Sequence, residues 1–382
     1  MGEVFIVEAV RTPVGKRNGA LSAIHPVELG ARVLREIVAR TEIGPELVED
    51  VIVGCVTQTD QQGANIGRLA VLQAGFPVNV PAVSVNRMCG SSQQAVHFAA
   101  QAIAAGDIDL AIAAGVESMS RVPMGSDFPM EWPADFPFAL VPQGLSAEMV
   151  AERWGLTREA LDDYSFESHV RAARATREGR FRREMMPLVP SQACESTALV
   201  HDEGIRFEPD RARMAALRPP FKDDGVVTAG NSSQISDGAA ALLLASARAL
   251  EANGLRPRAR IVSRAVVGTD PVLMLSGPIP ATRKVLARAG LRLGDIDLFE
   301  VNEAFASVVL AWQLELGVPL ERVNVNGGAI ALGHPLGASG TRLMATLLHE
   351  LERTGGRYGL QTMCIGHGMA TATIIERLDP AR

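Results

Sequence analysis

Short apolar runs and longer amphipathic stretches alternate along the first third of the chain. The apolar runs have the length and composition of buried strands; they lie at residues 4–7, 51–53, 83–85 and 110–113. The stretches between them place apolar side chains at the three-to-four-residue spacing of a helix; they lie at residues 26–41, 64–74 and 92–105. Strands that alternate with helices in this way predict an α/β fold.

The second half of the chain repeats this scheme. Strands are predicted at residues 260–267, 298–301, 322–325 and 362–365, and helices at residues 280–289, 303–316 and 340–353. Two landmarks recur in the same order, because residues 50–55 resemble residues 297–302 and residues 83–86 match residues 323–326. The repeat is far longer than that of a solenoid, so it predicts two similar lobes.

The middle of the chain follows a different pattern from both lobes. Residues 122–142 are rich in proline and aromatic side chains, which predicts a long loop. A charged helical stretch is predicted at residues 146–179, and residues 180–220 show no regular period. We interpret this region as an insertion that closes over a site made by the two lobes.

These patterns divide the chain into three parts. The N-terminal lobe is expected at residues 1–118 and is completed by about residues 229–250. Residues 119–228 are expected to form an inserted loop domain, and residues 257–382 the C-terminal lobe.

Composition narrows the class of protein. With 382 residues, 47% of them hydrophobic and 21% charged, the chain has the composition of a folded α/β protein with more than one lobe. The formal charge of −6 argues against a nucleic-acid-binding protein, which usually carries a basic excess. No stretch is apolar for long enough to cross a bilayer, so no membrane partner is expected. The N-terminus lacks the pattern of a signal peptide, which predicts a cytoplasmic protein.

Four cysteines are scattered along the chain, at Cys55, Cys89, Cys194 and Cys364. In a reducing compartment we expect them to be thiols, and their spacing is not that of a zinc site, so no metal is expected. Cys89 differs from the others because it lies at a predicted strand-to-helix junction, followed by Gly90. The positive end of the helix should lower the pKa of this thiol. A nucleophile and a small buried apolar side chain are equally compatible with the local sequence.

Three further segments combine a reactive side chain with a helix start or a glycine-rich turn. His334 follows a stretch dense in glycine, and its imidazole is suited to removing a thiol proton. Cys364 ends a predicted strand, where a second thiol can exchange a proton with a substrate carbon. The N–H of Gly366 and the amide of Asn302 are candidate donors to an oxyanion. Taken singly, His334 and Asn302 also fit ordinary helix caps.

Together these segments resemble the signature set of the thiolase family. The similarity runs over essentially the full length of the chain, and the segment around His334 is its most specific part. It covers residues 86–92, 115–119, 228–233, 302–306, 327–340 and 364–368. The resemblance implies a duplicated, five-layered αβαβα fold that assembles as a homodimer or homotetramer.

The resemblance also implies an acyltransferase that cleaves a 3-ketoacyl-CoA with CoA, or runs the reverse Claisen condensation. Cys89 matches the cysteine that is acylated, His334 the histidine that activates it, and Cys364 the acid/base for the acetyl-CoA carbon. Asn302, with a water and His334, matches one oxyanion hole, and the N–H groups of Cys89 and Gly366 match the other. CoA is then a co-substrate, no tightly bound cofactor is expected, and the kinetics should be ping-pong.

The same resemblance places CoA against the inserted region and the segment that follows it. Ala229 and Ser233 match residues that contact the pantetheine arm, and Arg206 matches a residue at the nucleotide end. A guanidinium is suited to the phosphates of CoA, although Arg206 also fits an ordinary surface arginine. Helix N-termini are further candidates for holding these phosphates.

Two positions depart from the family pattern. His367 stands where many thiolases have glycine, and it should either strain the turn or add a titrating group near Cys364. Small-substrate biosynthetic thiolases carry a His-Met pair where this chain has Pro142 and Gln143. Because that pair narrows the acyl pocket, its absence predicts a longer or bulkier acyl chain.

The leading hypothesis is a degradative 3-ketoacyl-CoA thiolase, with acetoacetyl-CoA thiolase as the alternative. Residues 11–18 and 54–58 look most like degradative thiolases, including those that act on steroid side chains. Decarboxylating ketoacyl synthases lack a second catalytic cysteine, so Cys364 argues against them. A non-catalytic thiolase-like scaffold or lipid-carrier partner is the third hypothesis, and only His367 favours it.

Overall fold

The computed structural model describes residues 2–189 and 198–379. Within these residues, ten strands form one mixed sheet. The strands are β1 (Val4–Arg11), β2 (Gly15–Lys16), β3 (Asp50–Gly54), β4 (Ala82–Val85), β5 (Leu110–Ser118), β6 (Ser236–Ser246), β7 (Ala259–Gly268), β8 (Leu298–Val301), β9 (Tyr358–Ile365) and β10 (Met369–Arg377).

The α-helices of the described residues lie on both sides of the sheet and between its two halves. They are α1 (Pro26–Thr41), α2 (Ile66–Gln73), α3 (Ser91–Ala105), α4 (Gln143–Arg153), α5 (Arg158–Arg177), α6 (Arg211–Ala215), α7 (Ala247–Asn253), α8 (Pro278–Ala289), α9 (Ala306–Leu316), α10 (Ala329–Leu332) and α11 (Ser339–Thr354). None of them is both long and apolar enough to span a membrane.

The strand order is the same in the two halves of the sheet. In the first half the order is β4-β3-β5-β6-β1, with β3 parallel to β4 and β5, and β6 antiparallel to β5 and β1. In the second half β8 is parallel to β9, and β10 is antiparallel to β9 and β7. Val323 forms a parallel bridge with Phe299 of β8, at the position that β4 occupies in the first half. The internal duplication predicted from the sequence landmarks is therefore confirmed.

Three hydrophobic clusters build the layers. β5 and β6 direct alternate side chains to opposite faces, so Ile112 and Leu243 pack with α1 and α2, whereas Ala113 and Leu242 pack with α3 and α11. The third cluster lies on the second half of the sheet and includes Trp312 of α9. Because α3 and α11 lie between the two halves of the sheet, α11 is buried along nearly its whole length. The arrangement is the five-layered αβαβα fold.

Two of the predicted elements form differently in the structure. Of the strand predicted at residues 322–325, only the bridge at Val323 forms. The single helix predicted at residues 146–179 is two helices, because Gly155 adopts a left-handed φ of +62° and Thr157 then caps α5.

Arg11 ties the inserted region to the first half of the sheet. Its buried guanidinium pairs with Glu184 (Nε to Oε1, 2.5 Å) and with Asp202 (Nη1 to Oδ1, 2.6 Å). Asp202 also accepts the backbone N–H of Val14 at 2.7 Å. Removing one partner of such a buried pair typically costs about 3–5 kcal/mol, so these contacts hold the insertion firmly in place.

Candidate active site

Cys89 lies in the turn between β4 and α3, where the backbone is held by one hydroxyl. The Arg87 N–H donates to Ser91 Oγ at 3.0 Å, and this hydroxyl donates to the Met88 carbonyl at 2.6 Å. Met88 adopts a left-handed φ of 44°. The turn presents Cys89 directly before α3, as the sequence predicts, and buries its thiol to 4% exposure.

The ends of the two central helices meet behind this turn. The Thr341 N–H at the start of α11 donates to Ser92 Oγ at the start of α3 at 3.0 Å. A Cβ atom on Gly340 would stand 2.2 Å from the Gln93 nitrogen, so only glycine permits this approach. The close packing brings the first-half nucleophile turn against the second-half loop that carries His334.

The hydrogen bonds of His334 determine its tautomer. Ser339 Oγ donates its only proton to the Pro335 carbonyl at 2.9 Å, and it lies 2.5 Å from His334 Nδ1. We assign the imidazole proton to Nδ1 on this pattern, which leaves Nε2 as an acceptor. Asn302 Nδ2 lies 3.2 Å from Nε2, within reach to donate to it. The lone pair of Nε2, which faces the Asn302 amide at rest, is the one by which His334 can act as a base.

Charge and burial keep His334 neutral. Burial, followed by the positive charge of Arg342, lowers the pKa of His334 from its ordinary value of 6.5 to about 3. At neutral pH the imidazole is therefore unprotonated and able to accept a proton. The Asn302 Oδ1 atom is buried and has no hydrogen-bond partner within residues 2–189 and 198–379.

The resting Cys89 is a thiol and not a thiolate. Burial raises its pKa from 9.0 to about 11, although the N–H groups of Cys89 and Gly366 and the Gln143 side chain act in the opposite direction as hydrogen-bond donors. The net pKa is therefore raised and not lowered as the sequence predicts, because the cost of burying a thiolate is larger than its stabilisation by donors. Cys89 and His334 are therefore both uncharged at rest.

Cys364 lies at the end of β9, directly opposite Ala370 of β10. Burial and the neighbouring charge of a Cys89 thiolate raise the pKa of Cys364 well above its ordinary value. β9 also pairs with the strand that ends before Asn302, whose N–H donates to the Thr362 carbonyl at 3.0 Å. The structure therefore brings Cys89, Cys364 and Gly366 together, with Asn302 and His334 beside them.

The three residues assigned to CoA lie in and near a second cavity. Arg206 and Ala229 line a cavity of about 240 Å³, together with Met214. Ser233 does not line this cavity, and its N–H donates to the Ala304 carbonyl at 2.9 Å, two residues after Asn302. The Arg206 side chain is exposed at the mouth of the cavity.

Cys89 and Gly366 open into an apolar cavity of about 320 Å³. Its polar side chains are few, and among them are Gln143 and His367. The apolar wall is formed by side chains from both lobes and from the insertion: Val56, Met88, Met124, Phe128, Val141, Phe221, Met274, Phe305 and Leu336.

His367 adopts the left-handed conformation in the turn between β9 and β10, with a φ of 62°. Its ring lies between two aromatic residues of the insertion, 6.3 Å from Phe128 and 6.1 Å from Trp132 between ring centroids. Of the two effects expected of this histidine, a left-handed backbone at a non-glycine residue is present. The ring forms part of the cavity wall.

Sequence reasoning missed residues that position this site. Glu117 is buried and accepts hydrogen bonds from Val56 N–H (2.8 Å) and Gly337 N–H (2.8 Å), so it joins the two lobes beside Cys89. Ser339 sets the tautomer of His334. Both lie in segments that resemble thiolase motifs. The signals by which they could have been found are a carboxylate in a segment predicted to be buried, for Glu117, and a hydroxyl at a helix start, for Ser339.

Comparisons with known proteins agree with this geometry. A model of the thiolase N-terminal domain matches residues 4–248, and a model of the C-terminal domain matches residues 255–377. The chain is 50% identical to a steroid 3-ketoacyl-CoA thiolase of Mycobacterium tuberculosis, over 99% of this chain and 95% of the relative. It is 45% identical to a 3-oxoadipyl-CoA/3-oxo-5,6-dehydrosuberyl-CoA thiolase of Escherichia coli, over 99% of this chain and 100% of the relative.

A solved structure shows the same architecture. The acetyl-CoA acetyltransferase of Bacillus anthracis superimposes with a TM-score of 0.93 at 38% identity and covers 99% of both chains. Both halves of the chain match family models, and full-length relatives share nearly half of its residues. This chain is a member of the thiolase family of acyltransferases.

Proposed function

We propose that this thiolase cleaves a 3-ketoacyl-CoA with CoA, through an acyl group held on Cys89. The observation that carries the proposal is the pairing of a neutral base with two thiols at one site. His334 presents an unprotonated Nε2, and Cys89 is a thiol with donors around its sulfur. Cys364 lies close enough to be affected by the charge of Cys89.

In the first half-reaction, His334 Nε2 takes the proton of Cys89 as the sulfur attacks the C3 carbonyl of the substrate. The oxyanion collapses, the bond between C2 and C3 breaks, and its electron pair remains on C2. Cys364 gives its proton to C2, so acetyl-CoA leaves and Cys364 becomes a thiolate. The shortened acyl group remains on Cys89.

In the second half-reaction, the Cys364 thiolate takes the proton of an incoming CoA thiol. The CoA sulfur attacks the acyl carbon, the bond to Cys89 breaks, and the protonated His334 returns its proton to the Cys89 sulfur. Every group is then in its starting state. The reverse sequence is the Claisen condensation of acetyl-CoA with an acyl group on Cys89.

Two groups of donors serve the two oxyanions of this cycle. The N–H groups of Cys89 and Gly366 already lie at the sulfur and are proposed to bind the oxygen of the acyl thioester. Asn302 and His334 are proposed to bind the carbonyl of the acetyl-CoA portion with a water. The unpaired Oδ1 of Asn302 can accept a hydrogen bond from such a water.

We propose that residues 119–228 form a loop domain distinct from the two lobes, and that CoA binds along it. The cavity beside Ala229 has the apolar and polar walls that a pantetheine arm requires, and Arg206 stands at its mouth for the phosphates. Ser233 follows Ala229 by four residues, and its N–H donates to the carbonyl of Ala304, two residues after Asn302.

The acyl group is proposed to be apolar and larger than acetyl. Because the cavity at Cys89 is lined mostly by apolar side chains, it favours a hydrocarbon or ring-containing acyl chain. The similarity to a steroid 3-ketoacyl-CoA thiolase supports the same substrate class. Acetoacetyl-CoA is the competing substrate, since the B. anthracis structure is an acetyl-CoA acetyltransferase.

The test is a thiolysis assay on purified protein with CoA and a panel of substrates. The panel runs from acetoacetyl-CoA through long-chain 3-ketoacyl-CoAs to steroid-derived ones, with the Cys89→Ala variant as the control. We expect Cys89-dependent loss of the ketoacyl absorbance and the highest kcat/KM with a large apolar chain. A maximum at acetoacetyl-CoA would contradict the proposed acyl group, and no cleavage by folded protein that binds CoA would contradict the activity.

A further inference from the structure

Gln143 reaches the reacting sulfur from outside both lobes. It is the first residue of α4, and its side-chain amide lies near enough to the Cys89 sulfur to lower the pKa of that thiol. A Cβ atom built on Gly366 would lie 3.1 Å from Gln143 Nε2, so the amide also stands beside the turn after Cys364. Gln143, Cys89 and Gly366 line the same cavity.

The position of Gln143 is fixed by the packing of α4. The preceding residue, Pro142, accepts the Leu145 N–H at 2.9 Å and begins the helix. Further along, Glu148 is buried and accepts the N–H groups of Val226 (2.9 Å) and Val227 (2.8 Å). α4 is thus bonded to the loop before β6, and its first side chain projects from a rigid element towards the sulfur.

Most side chains of the cavity around Gln143 are apolar, and its other polar side chains are those of Asp127 and His367. Phe221 covers the next residue so closely that a Cβ atom on Gly144 would stand 2.3 Å from its ring. In such surroundings a hydrogen bond to a charged sulfur is stronger than it would be in water. The amide has no charge of its own, so it donates to a thiolate without pairing with the substrate phosphates.

We propose that Gln143 is a further catalytic residue, whose side-chain amide donates a hydrogen bond to the Cys89 sulfur whenever that sulfur is anionic. Cys89 is anionic twice in each cycle, when it attacks the substrate and when it leaves the acyl group. The proposal rests on the assigned role of Cys89 as the nucleophile.

The first test measures the thiolate directly in the resting protein. Alkylation of Cys89 by iodoacetamide is followed across the neutral and alkaline range, with peptide mapping to separate it from the other cysteines. Gln143→Met keeps the length of the side chain and removes the donor. We expect alkylation to be about tenfold slower at a fixed pH, and its midpoint to lie at higher pH, as for the loss of one hydrogen bond to a charged group.

Two further variants separate hydrogen bonding from packing. Gln143→Glu places a negative charge beside the sulfur and should slow alkylation more than Gln143→Met does. Phe221→Leu alters the same wall without a donor and should leave the alkylation profile unchanged. An unchanged profile in Gln143→Met, or an equal shift in Phe221→Leu, would overturn the proposal.

The kinetic prediction is a fall in kcat of about tenfold for Gln143→Met, with little change in KM for CoA. A change confined to KM for the acyl substrate would make Gln143 a wall residue only and would overturn the proposal. Because alkylation needs no thiolysis, a wild-type protein that cleaves no ketoacyl-CoA would defeat the proposed function while the alkylation profiles still decide the role of Gln143.

Discussion

In both lobes the ends of two corresponding strands lie at the site, but the residues at these ends have different roles. Cys55 follows β3 at the position where Asn302 follows β8. The registers of β3 with β5 and of β8 with β9 then place Glu117 of the first lobe at the position of Cys364 in the second. The second lobe contributes both residues to the proposed chemistry, whereas the first lobe uses its pair for structure.

Glu117 shows what the structural use consists of. Its buried carboxylate accepts hydrogen bonds from four nitrogen donors, the backbone N–H groups of Val56, Thr57 and Gly337 and the Gln62 side chain. Gly337 belongs to the second lobe and lies three residues after His334. The counterpart of the catalytic thiol is therefore the group that holds the loop of the catalytic histidine against the first lobe.

The helix starts show a similar division. Ser91 of α3 and Ser339 of α11 both donate to a carbonyl three or four residues earlier. In the first lobe the same hydroxyl accepts the Arg87 N–H, but in the second it accepts the His334 ring. Residues 324–338 of the second lobe are a longer connection than residues 86–90 of the first, and the additional backbone carries the base.

The largest expected effect comes from removing the second-lobe thiol. Cys364→Ala should lower kcat for thiolysis by about 10²–10⁴-fold, the usual contribution of a positioned general acid. Alkylation of Cys89 by iodoacetamide involves no proton of the CoA thiol or of the substrate carbon, so it should fall much less. Thiolysis by mixing and alkylation by peptide mapping measure the two rates. An equal loss of both would mean that Cys364 shapes Cys89 and is not an acid.

Its first-lobe counterpart should show the opposite pattern. Glu117→Gln places an NH₂ group against N–H donors in either orientation of the amide, so we expect the free energy of unfolding to fall by about 2–4 kcal/mol. Urea denaturation measures the change, and Glu321→Gln, at an exposed position, should change it by less than about 0.5 kcal/mol. Full stability of Glu117→Gln with low activity would make the two positions functionally alike and refute the comparison.

The sequence predicts the second-lobe site more completely than the first-lobe support. Cys89, His334 and Cys364 belong to recognisable motifs, so their joint presence was sufficient to expect a thiolase. The pKa of Cys89 could not be predicted, because local sequence shows only the helix that follows. Its desolvation depends on distant parts of the chain, such as Ile365, whose side chain would lie 2.4 Å from a Cβ atom on Gly90.

Secondary structure follows the same distinction between local and distant causes. α1 has the predicted bounds, because Pro26 starts it and Glu42 ends it in the left-handed region at a φ of 54°. β6 consists mainly of alanine and leucine and is buried on both faces, so it has no alternation to identify it as a strand. It is a strand because it pairs with β5 on one side and with β1 on the other.

A smaller effect on the free energy of unfolding is expected at acid pH. It tests whether the histidines buried in the two lobes are equally inaccessible to protons. Burial, assisted by Arg264 and Arg87, lowers the pKa of His97 in α3 to about 3, as burial and Arg342 do for His334. In the unfolded chain each imidazole binds a proton below its ordinary pKa of about 6.5, whereas in the folded protein it does not. The contribution of each neutral histidine to the free energy of unfolding is therefore fully present above pH 6.5. It is lost as the pH falls towards 3, by about 1.4 kcal/mol per pH unit for each histidine.

Buried carboxylates with raised pKa values, such as Glu117, act in the opposite direction, so the contribution of His97 is taken from a difference. Between pH 7 and 5.5, His97→Gln should lose about 1 kcal/mol less stability than the wild type in urea denaturation. His201→Gln, at an exposed position, should lose as much as the wild type. An identical loss in His97→Gln would show that the first-lobe helix admits a proton when folded.

The smallest effect is expected at the turn where the second lobe meets the insertion. His367→Gly relieves a left-handed backbone but loses the ring contacts with Phe128 and Trp132, and each contribution is about 1 kcal/mol. The free energy of unfolding should therefore change by less than about 1 kcal/mol.

The same substitution should alter selectivity. kcat/KM should fall a few-fold for large apolar substrates and remain unchanged for acetoacetyl-CoA, because only the outer wall of the cavity is lost. Trp132→Leu removes a partner of the same ring without altering the turn and should give the same selectivity. If His367→Gly instead lowered kcat for acetoacetyl-CoA as far as Cys364→Ala does, the imidazole would belong to the chemistry of the second lobe and not to its wall.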